Sequence, residues 1–249
     1  MRTILSRHCP RLSFLILSQL IFSSVSWRPS LWKRRTTITF PTNQDPALTH
    51  AYFMNLALDQ ARRAASIGEV PIGAVLVQEL PLPPPRKKSL RTTNTTTGSE
   101  TTTSTSTTYH ILASAGNRVE TKSDASAHAE LQALRSGAQQ VHNWRLPQRT
   151  TLYSTLEPCP MCLAACQAFR LPTLVYGAPD LRLGAVETHL RLLDIQHPYH
   201  NVSTVIAGVG GEESAALLRY FFRKRRIEQK EQASIAMQKP RSMWRLPWK

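Results

Sequence analysis

His128 and Glu130 in one stretch, with Cys159 and Cys162 in another, offer one imidazole, one carboxylate and two thiols. One His and two Cys can ligate a tetrahedral zinc ion, and a three-ligand set leaves a fourth position open to water, as in catalytic rather than structural zinc sites. Glu130 is then the group that handles the water's protons. Cys159 and Cys162 stand three residues apart, so on a helix they share a face, with Pro160 suited to its first turn. A helix N-terminus there favours thiolate, the form that binds metal. His128 and Glu130 lie roughly 200° apart around a helix, so they cannot both ligate one ion from a helix interior. An irregular first turn, with Asp124 or Ser126 as cap, lets His128 reach the metal while Glu130 faces the water.

A C-x-x-C pair has other uses, as a redox couple or as half of a structural zinc knuckle. Four Cys occur in the chain and no second C-x-x-C completes a knuckle. An H-x-E stretch followed by P-C-x-x-C is the signature of zinc-dependent nucleobase deaminases. Cys166 is one turn beyond Cys162 on the same helical face, where a small apolar thiol packs as core.

Elements must bring these stretches together. Ala47 to Ile67 places apolar residues at helical spacing and ends near Gly68. Ile72 to Val77 reads as a strand and Ile111 to Ala115 as its hairpin partner. His128 to Arg135 is helical, Thr151 to Thr155 a strand, Met161 to Phe169 helical and Thr173 to Tyr176 a strand. A short apolar segment lies near Leu190 to Leu193, and Val202 to Ala207 reads as another strand. Gly210 and Gly211 open a last helix with acids at its start and Arg223 to Arg226 further along. The expected fold is α/β, three layers, with a mixed sheet of about five strands and helices on both faces.

The formal charge of +15 is unevenly spread. Residues 1–44 hold seven Lys/Arg and no acid, residues 219–249 hold ten against two acids, and residues 45–218 balance 14 against 14. The globular middle therefore has no bulk attraction for phosphate. Residues 1–26 have signal-peptide grammar, with Arg2, Arg7 and Arg11 before an apolar run too short to span a bilayer. Residues 27–46 are basic and hydroxylated, as transit peptides are. In series the two resemble the bipartite presequences of secondary plastids; a secreted protein and mitochondrial import are the alternatives. The absence of paired Cys argues against a disulfide-forming destination. Residues 79–109 form an insertion: Ser89 to Thr108 contains eleven Thr and four Ser among twenty residues, a composition expected to be disordered. The deaminase domain is expected over residues 47–232 and a basic tail over 233–249.

The chain resembles the bacterial and plastid tRNA-specific adenosine deaminases, within the cytidine deaminase superfamily. The resemblance covers about residues 50–230. It rests on Glu69-Val70-Pro71-Ile72-Gly73-Ala74-Val75, Asn117, the run Thr151 to Cys159, Tyr176 to Asp180, Gly184-Ala185, His197-Pro198 and Phe221 to Arg226. It implies the cytidine-deaminase-like three-layer fold, one Zn2+ per subunit on His128, Cys159 and Cys162, and Glu130 as proton carrier. The implied reaction converts wobble adenosine 34 of a tRNA to inosine, in an organellar tRNA-Arg with an ACG anticodon. Asn117 resembles a base-contacting Asn, Asp180 a carboxylate near the ribose, and Phe222, Arg223, Arg225 and Arg226 contacts to the anticodon stem-loop. A homodimer is implied too, with no stable membrane association once a presequence is removed. Other roles stay open: Asn117 and Asp180 can cap a turn or helix, and one of Phe221 and Phe222 can be core. The Cys motif also resembles guanine deaminases, so a free-base or nucleotide deaminase is the rival reading, and a zinc-dependent RNA-binding module without turnover a second. The loop after Asp180 departs from the family, and Glu187 within it is expected to repel phosphate.

Overall fold

The computed structural model describes residues 36–81, 106–198 and 200–238. The signal-like segment, residues 27–35 of the transit-like segment, most of the Thr-rich insertion, and the end of the basic tail lie outside the described residues.

Six strands form one sheet in the order β1-β3-β2-β4-β5-β6. They are β1 (Thr36–Pro41), β2 (Gly73–Glu79), β3 (Ser106–Gly116), β4 (Thr150–Leu156), β5 (Thr173–Ala178) and β6 (Thr204–Ile206). The pairs β1–β3, β3–β2 and β2–β4 are antiparallel, whereas β4–β5 and β5–β6 are parallel. The helices are α1 (Pro46–Ser66), α2 (Val119–Lys122), α3 (Ala129–Gln140), α4 (Pro160–Ala168) and α5 (Gly211–Gln238).

Strand alternation divides the core into two layers, because successive side chains point to opposite faces. Ala74, Leu76, Leu152, Leu174 and Tyr176 pack under α3 and α4, against Ala133, Leu134, Leu163 and Cys166. Val75, Val77, Tyr153 and Val175 pack under α1 and α5, against Phe53, Met54, Leu58 and Leu217. Both faces of the sheet are covered, and this is why β2 reads as an unbroken apolar run from Ala74 to Val77. The layers fit closely at Gly73, where a Cβ would overlap the backbone of α1 at Ala57 and Ala61. Arg62 of α1 pairs with Glu213 in the first turn of α5, joining the two helices on that face.

The sheet has one strand more than the five expected. The extra strand is β1, which lies inside the stretch read as transit-peptide-like and pairs with β3 from Thr36 opposite Ile111 to Pro41 opposite Ser106. Thr-Thr-Ile-Thr-Phe is rich in β-branched and aromatic residues, the types that suit a pleated half-buried surface. Ile38 and Phe40 pack onto the α1 layer, and Phe40 makes edge contacts with Tyr52, Phe53 and Tyr109. The pairing strand β3 also starts at Ser106, so the last Thr and Ser residues of the insertion belong to the sheet.

Candidate active site

α3 and α4 both begin at the same end of the sheet and present their first residues to one another. His128 occupies the N-cap of α3 with extended backbone (φ −67°, ψ 149°), and Cys159 the N-cap of α4 (φ −71°, ψ 170°), with Pro160 starting that helix. Neither side chain makes a capping hydrogen bond to its own helix. Both turn across the gap instead. The His128 Nδ1 lies 3.6 Å from Cys159 Sγ and 3.5 Å from Cys162 Sγ, and the three ligand atoms fall within 4.8 Å of one another. The expectation that Asp124 or Ser126 caps α3 is corrected: Asp124 Oδ1 accepts the Ser126 N–H and hydroxyl, closing a turn ahead of the helix and leaving the cap to His128.

This donor set fits zinc. Bonds of about 2.3 Å to sulfur and about 2.0–2.1 Å to nitrogen in a tetrahedron would hold each N···S pair roughly 3.6 Å apart. The protonation pattern is what three ligands adopt when they must share protons. Cys159 is brought down to about 4, first by the hydrogen bond from the Cys162 thiol, with burial opposing and His128 adding to the effect. Cys162 is pushed up by donating to Cys159 and by burial, and the His128 ring is raised by its hydrogen bond to Cys159. Cys166 is fully buried in the α3–α4 core and stands outside the ligand group.

Glu130, in the first turn of α3, is 3 % exposed, and its Oε2 has no hydrogen-bond partner. Burial raises its carboxyl above the ordinary carboxylate range. A buried acceptor without a partner is costly and points to a group that belongs beside it.

Above these residues opens a cleft of about 970 Å³. His128, Glu130 and Cys159 form its floor, Val70, Ile72 and Leu156 an apolar wall, Asp180, Arg182 and Leu183 one rim, and α5 the other. From α5 come Arg219, Tyr220, Phe222, Arg223 and Arg226, so one helical face supplies an aromatic pair and three guanidinium groups. The sequence reading reached Phe222, Arg223 and Arg226 but not Arg219 or Tyr220, although the spacing 219, 222, 223, 226 is itself one face of a helix. Phe221 turns inward, 9 % exposed.

Two expected contacts are placed elsewhere. Arg225 sits over the Phe221 ring and lines the groove between α1 and α5 on the far side of that helix. Asn117 is buried beside Glu69 and does not line the cleft; its Nδ2 donates to Glu69 Oε2 at 3.0 Å. Glu69 also accepts from the Glu120 N–H and from the Thr121 N–H and hydroxyl. Burial opposes its ionisation, but the Thr121, Glu120 and Asn117 hydrogen bonds hold its carboxyl below the usual value. Asp180 lies at the cleft rim, and its Oδ1 accepts the Arg182 and Leu183 N–H groups. Glu187 does not line the cleft; its Oε2 accepts the Tyr176 hydroxyl at 2.7 Å.

The sequence model of the MafB19-like deaminases matches residues 86–226. A tRNA-specific adenosine deaminase of Agrobacterium fabrum is 37 % identical over 71 % of this chain and 96 % of its own length. A chloroplastic tRNA(adenine(34)) deaminase of Arabidopsis thaliana is 35 % identical over 70 % of this chain and 12 % of its own. A solved structure from studies of A-to-I editing by tRNA:A34 deaminases at the wobble position of transfer RNA is 36 % identical, with a TM-score of 0.52. That match covers 67 % of this chain and 99 % of the other.

Proposed function

Because the chain belongs to the tRNA-specific adenosine deaminase family, we propose that it is a zinc-dependent hydrolase converting adenosine 34 of a tRNA to inosine. The observation that carries this reading is a single cleft joining the His128, Cys159 and Glu130 floor to the aromatic and basic face of α5. A free base needs no such face; an RNA strand needs stacking surfaces and phosphate partners.

His128, Cys159 and Cys162 would hold the zinc ion through Nδ1 and two Sγ atoms. Bound there, zinc supplies Lewis acidity that brings the pKa of a water towards neutrality. Glu130 takes a proton from the attacking water at Oε2 and returns one to the departing amino group, so C6 gains oxygen and ammonia leaves. Val70, Ile72 and Leu156 exclude solvent around the base. Phe222 and Tyr220 offer rings for the neighbouring bases, and Arg219, Arg223 and Arg226 face their phosphates. Asp180 is assigned the ribose 2′-hydroxyl, which separates RNA from DNA. Asn117, whose amide nitrogen is held by Glu69 behind the cleft wall, is assigned a supporting part in that wall rather than a contact to the base.

The substrate is proposed to be an organellar tRNA-Arg with an ACG anticodon, reached through the bipartite presequence; similarity to a chloroplastic relative supports a plastid destination. No helix among the described residues is long and apolar enough to cross a membrane. A homodimer is also proposed: Met161, Ala164 and Ala168 stand exposed at helical spacing on α4, an apolar face suited to a second copy. Incubating purified protein with an anticodon stem-loop carrying adenosine 34, and separately with guanine, cytosine and adenosine, tests the activity. Inosine in the stem-loop is expected, and ammonia released only from a free base or nucleoside would sink the reading. Imaging a fusion of residues 1–45 to a fluorescent protein tests the destination.

A further inference from the structure

Glu157 has no part in the chemistry above, yet its side chain is 1 % exposed, lies directly under the cleft and is surrounded by donors. Its Oε1 accepts the N–H groups of Val186 (3.0 Å), Glu187 (2.8 Å) and Thr188 (3.1 Å). Its Oε2 accepts the Asp180 N–H at 3.0 Å and the Thr188 hydroxyl at 2.6 Å. All five donors come from one loop, residues 180–188. The same loop closes on itself through Gly184 N–H to the Asp180 carbonyl (2.8 Å) and is tied to the motif by Ala185 N–H to the Pro158 carbonyl (2.9 Å). At Gly184 a Cβ would overlap both the Glu157 carboxylate and the Thr188 hydroxyl, so the chain wraps the anion with no space to spare.

Ala185 and Val186 pack into the core while Leu181 to Leu183, Glu187 and Thr188 stay exposed, and the backbone N–H groups that this turns inward need an acceptor. Here one buried carboxylate supplies it. The outward side of the same loop carries Asp180, Arg182 and Leu183, which form one rim of the cleft. We propose that Glu157 is a positioning residue that moulds residues 180–188 into the rim receiving the RNA strand, and thereby governs substrate capture rather than the hydrolytic step. The kinetic part of this proposal rests on the tRNA deaminase reading; the structural part does not. Tyr176 acts as an outer tether, since its hydroxyl draws the Glu187 carboxylate back to β5.

The test uses full-length zinc-loaded protein and the variants Glu157→Gln, Gly184→Ala, their double mutant, and the milder Thr188→Val. Gln replaces one acceptor oxygen with an amide N–H2 that faces donors. Gly184→Ala crowds the carboxylate from the other side. Three quantities are read: zinc content, the rate of tryptic nicking after Arg182, and kinetics on the adenosine-34 stem-loop. For Glu157→Gln we expect zinc to be retained, nicking to accelerate by roughly tenfold, and KM to rise about tenfold with kcat falling less than about threefold. Gly184→Ala should match it, Thr188→Val should shift each quantity in the same direction by about threefold, and the double mutant should be no worse than the worse single, because both changes break one contact. Unaltered nicking with unaltered KM would overturn the proposal, and so would a loss confined to kcat, which would place Glu157 in the chemistry. If the wild-type protein leaves the stem-loop unchanged, the tRNA reading fails, while the nicking contrast still decides the role of Glu157. If Glu157→Gln does not fold, Thr188→Val carries the same comparison.

Discussion

At Glu130 the fold buries a carboxyl, leaves Oε2 without a partner and aims it at the cleft floor, an arrangement that neither packing nor metal ligation requires. Glu130→Gln is therefore expected to keep its zinc and its affinity for the stem-loop while losing about 10²–10⁴-fold in deamination rate, the usual range for a general acid–base group; metal analysis and single-turnover assays check this. Glu69 behaves in the opposite way, as an anion the structure prefers ionised. Its folded pKa is depressed, so it contributes stability above the ordinary value of 4.5 that is lost as pH falls through the folded value. The melting temperatures of wild type and Glu69→Gln should differ most above that value and converge in acid, which a pH series of thermal melts would show. The nearness of His128 to Cys159 and Cys162 was legible across separations of 31 and 34 residues because H-x-E and P-C-x-x-C together form a known two-part zinc signature. The partner of Asn117 was not, since Glu69 lies 48 residues away and only the fold puts the two together. Arg225 differs from Arg226 by one position, and one position turns a helical side chain by about 100° to another face.

Among the elements, α3 and α4 are notable for what their N-caps do not do. Ser, Thr, Asp or Asn at an N-cap normally satisfies a free N–H of the first turn. His128 and Cys159 make no such bond and face each other. An ion held there would join two helix starts, and its removal by chelation should loosen both together. Hydrogen exchange is expected to rise at the first turns of α3 and α4 while the interior of α1 stays protected; uniform loosening would contradict this. Helix and strand positions were legible because periodicity and punctuation agree: α1 ends beside Gly68, and β2 lies between Pro71 and the insertion. Two elements escaped. α2 is four residues long and too short to show a period, and β1 was hidden by a basic, hydroxylated composition that also describes targeting segments.

For the whole molecule, four Arg residues edge one cleft whose acids are largely turned to internal hydrogen bonds: Arg182 comes from the charge-balanced stretch 45–218, and Arg219, Arg223 and Arg226 come from the basic stretch 219–249. The uneven spread of charge was thus a better guide to phosphate attraction than its total, because the excess in residues 219–249 is what the fold brings to the cleft. Protein beginning at residue 30 and protein beginning at residue 43 should differ in behaviour rather than in chemistry. The shorter form lacks β1, and sedimentation should find it in assemblies larger than the longer form's while its soluble fraction keeps its zinc; a short form of the same size and stability as the longer one would contradict this. β1 covers the outer side of β3, whose Ser106–Tyr109 stretch would otherwise present unpaired backbone along a Thr-rich edge. Any maturation cut that separates an N-terminal leader from this enzyme therefore has a downstream limit near Thr36, and an overcut product would leave a sticky sheet border for quality control to clear.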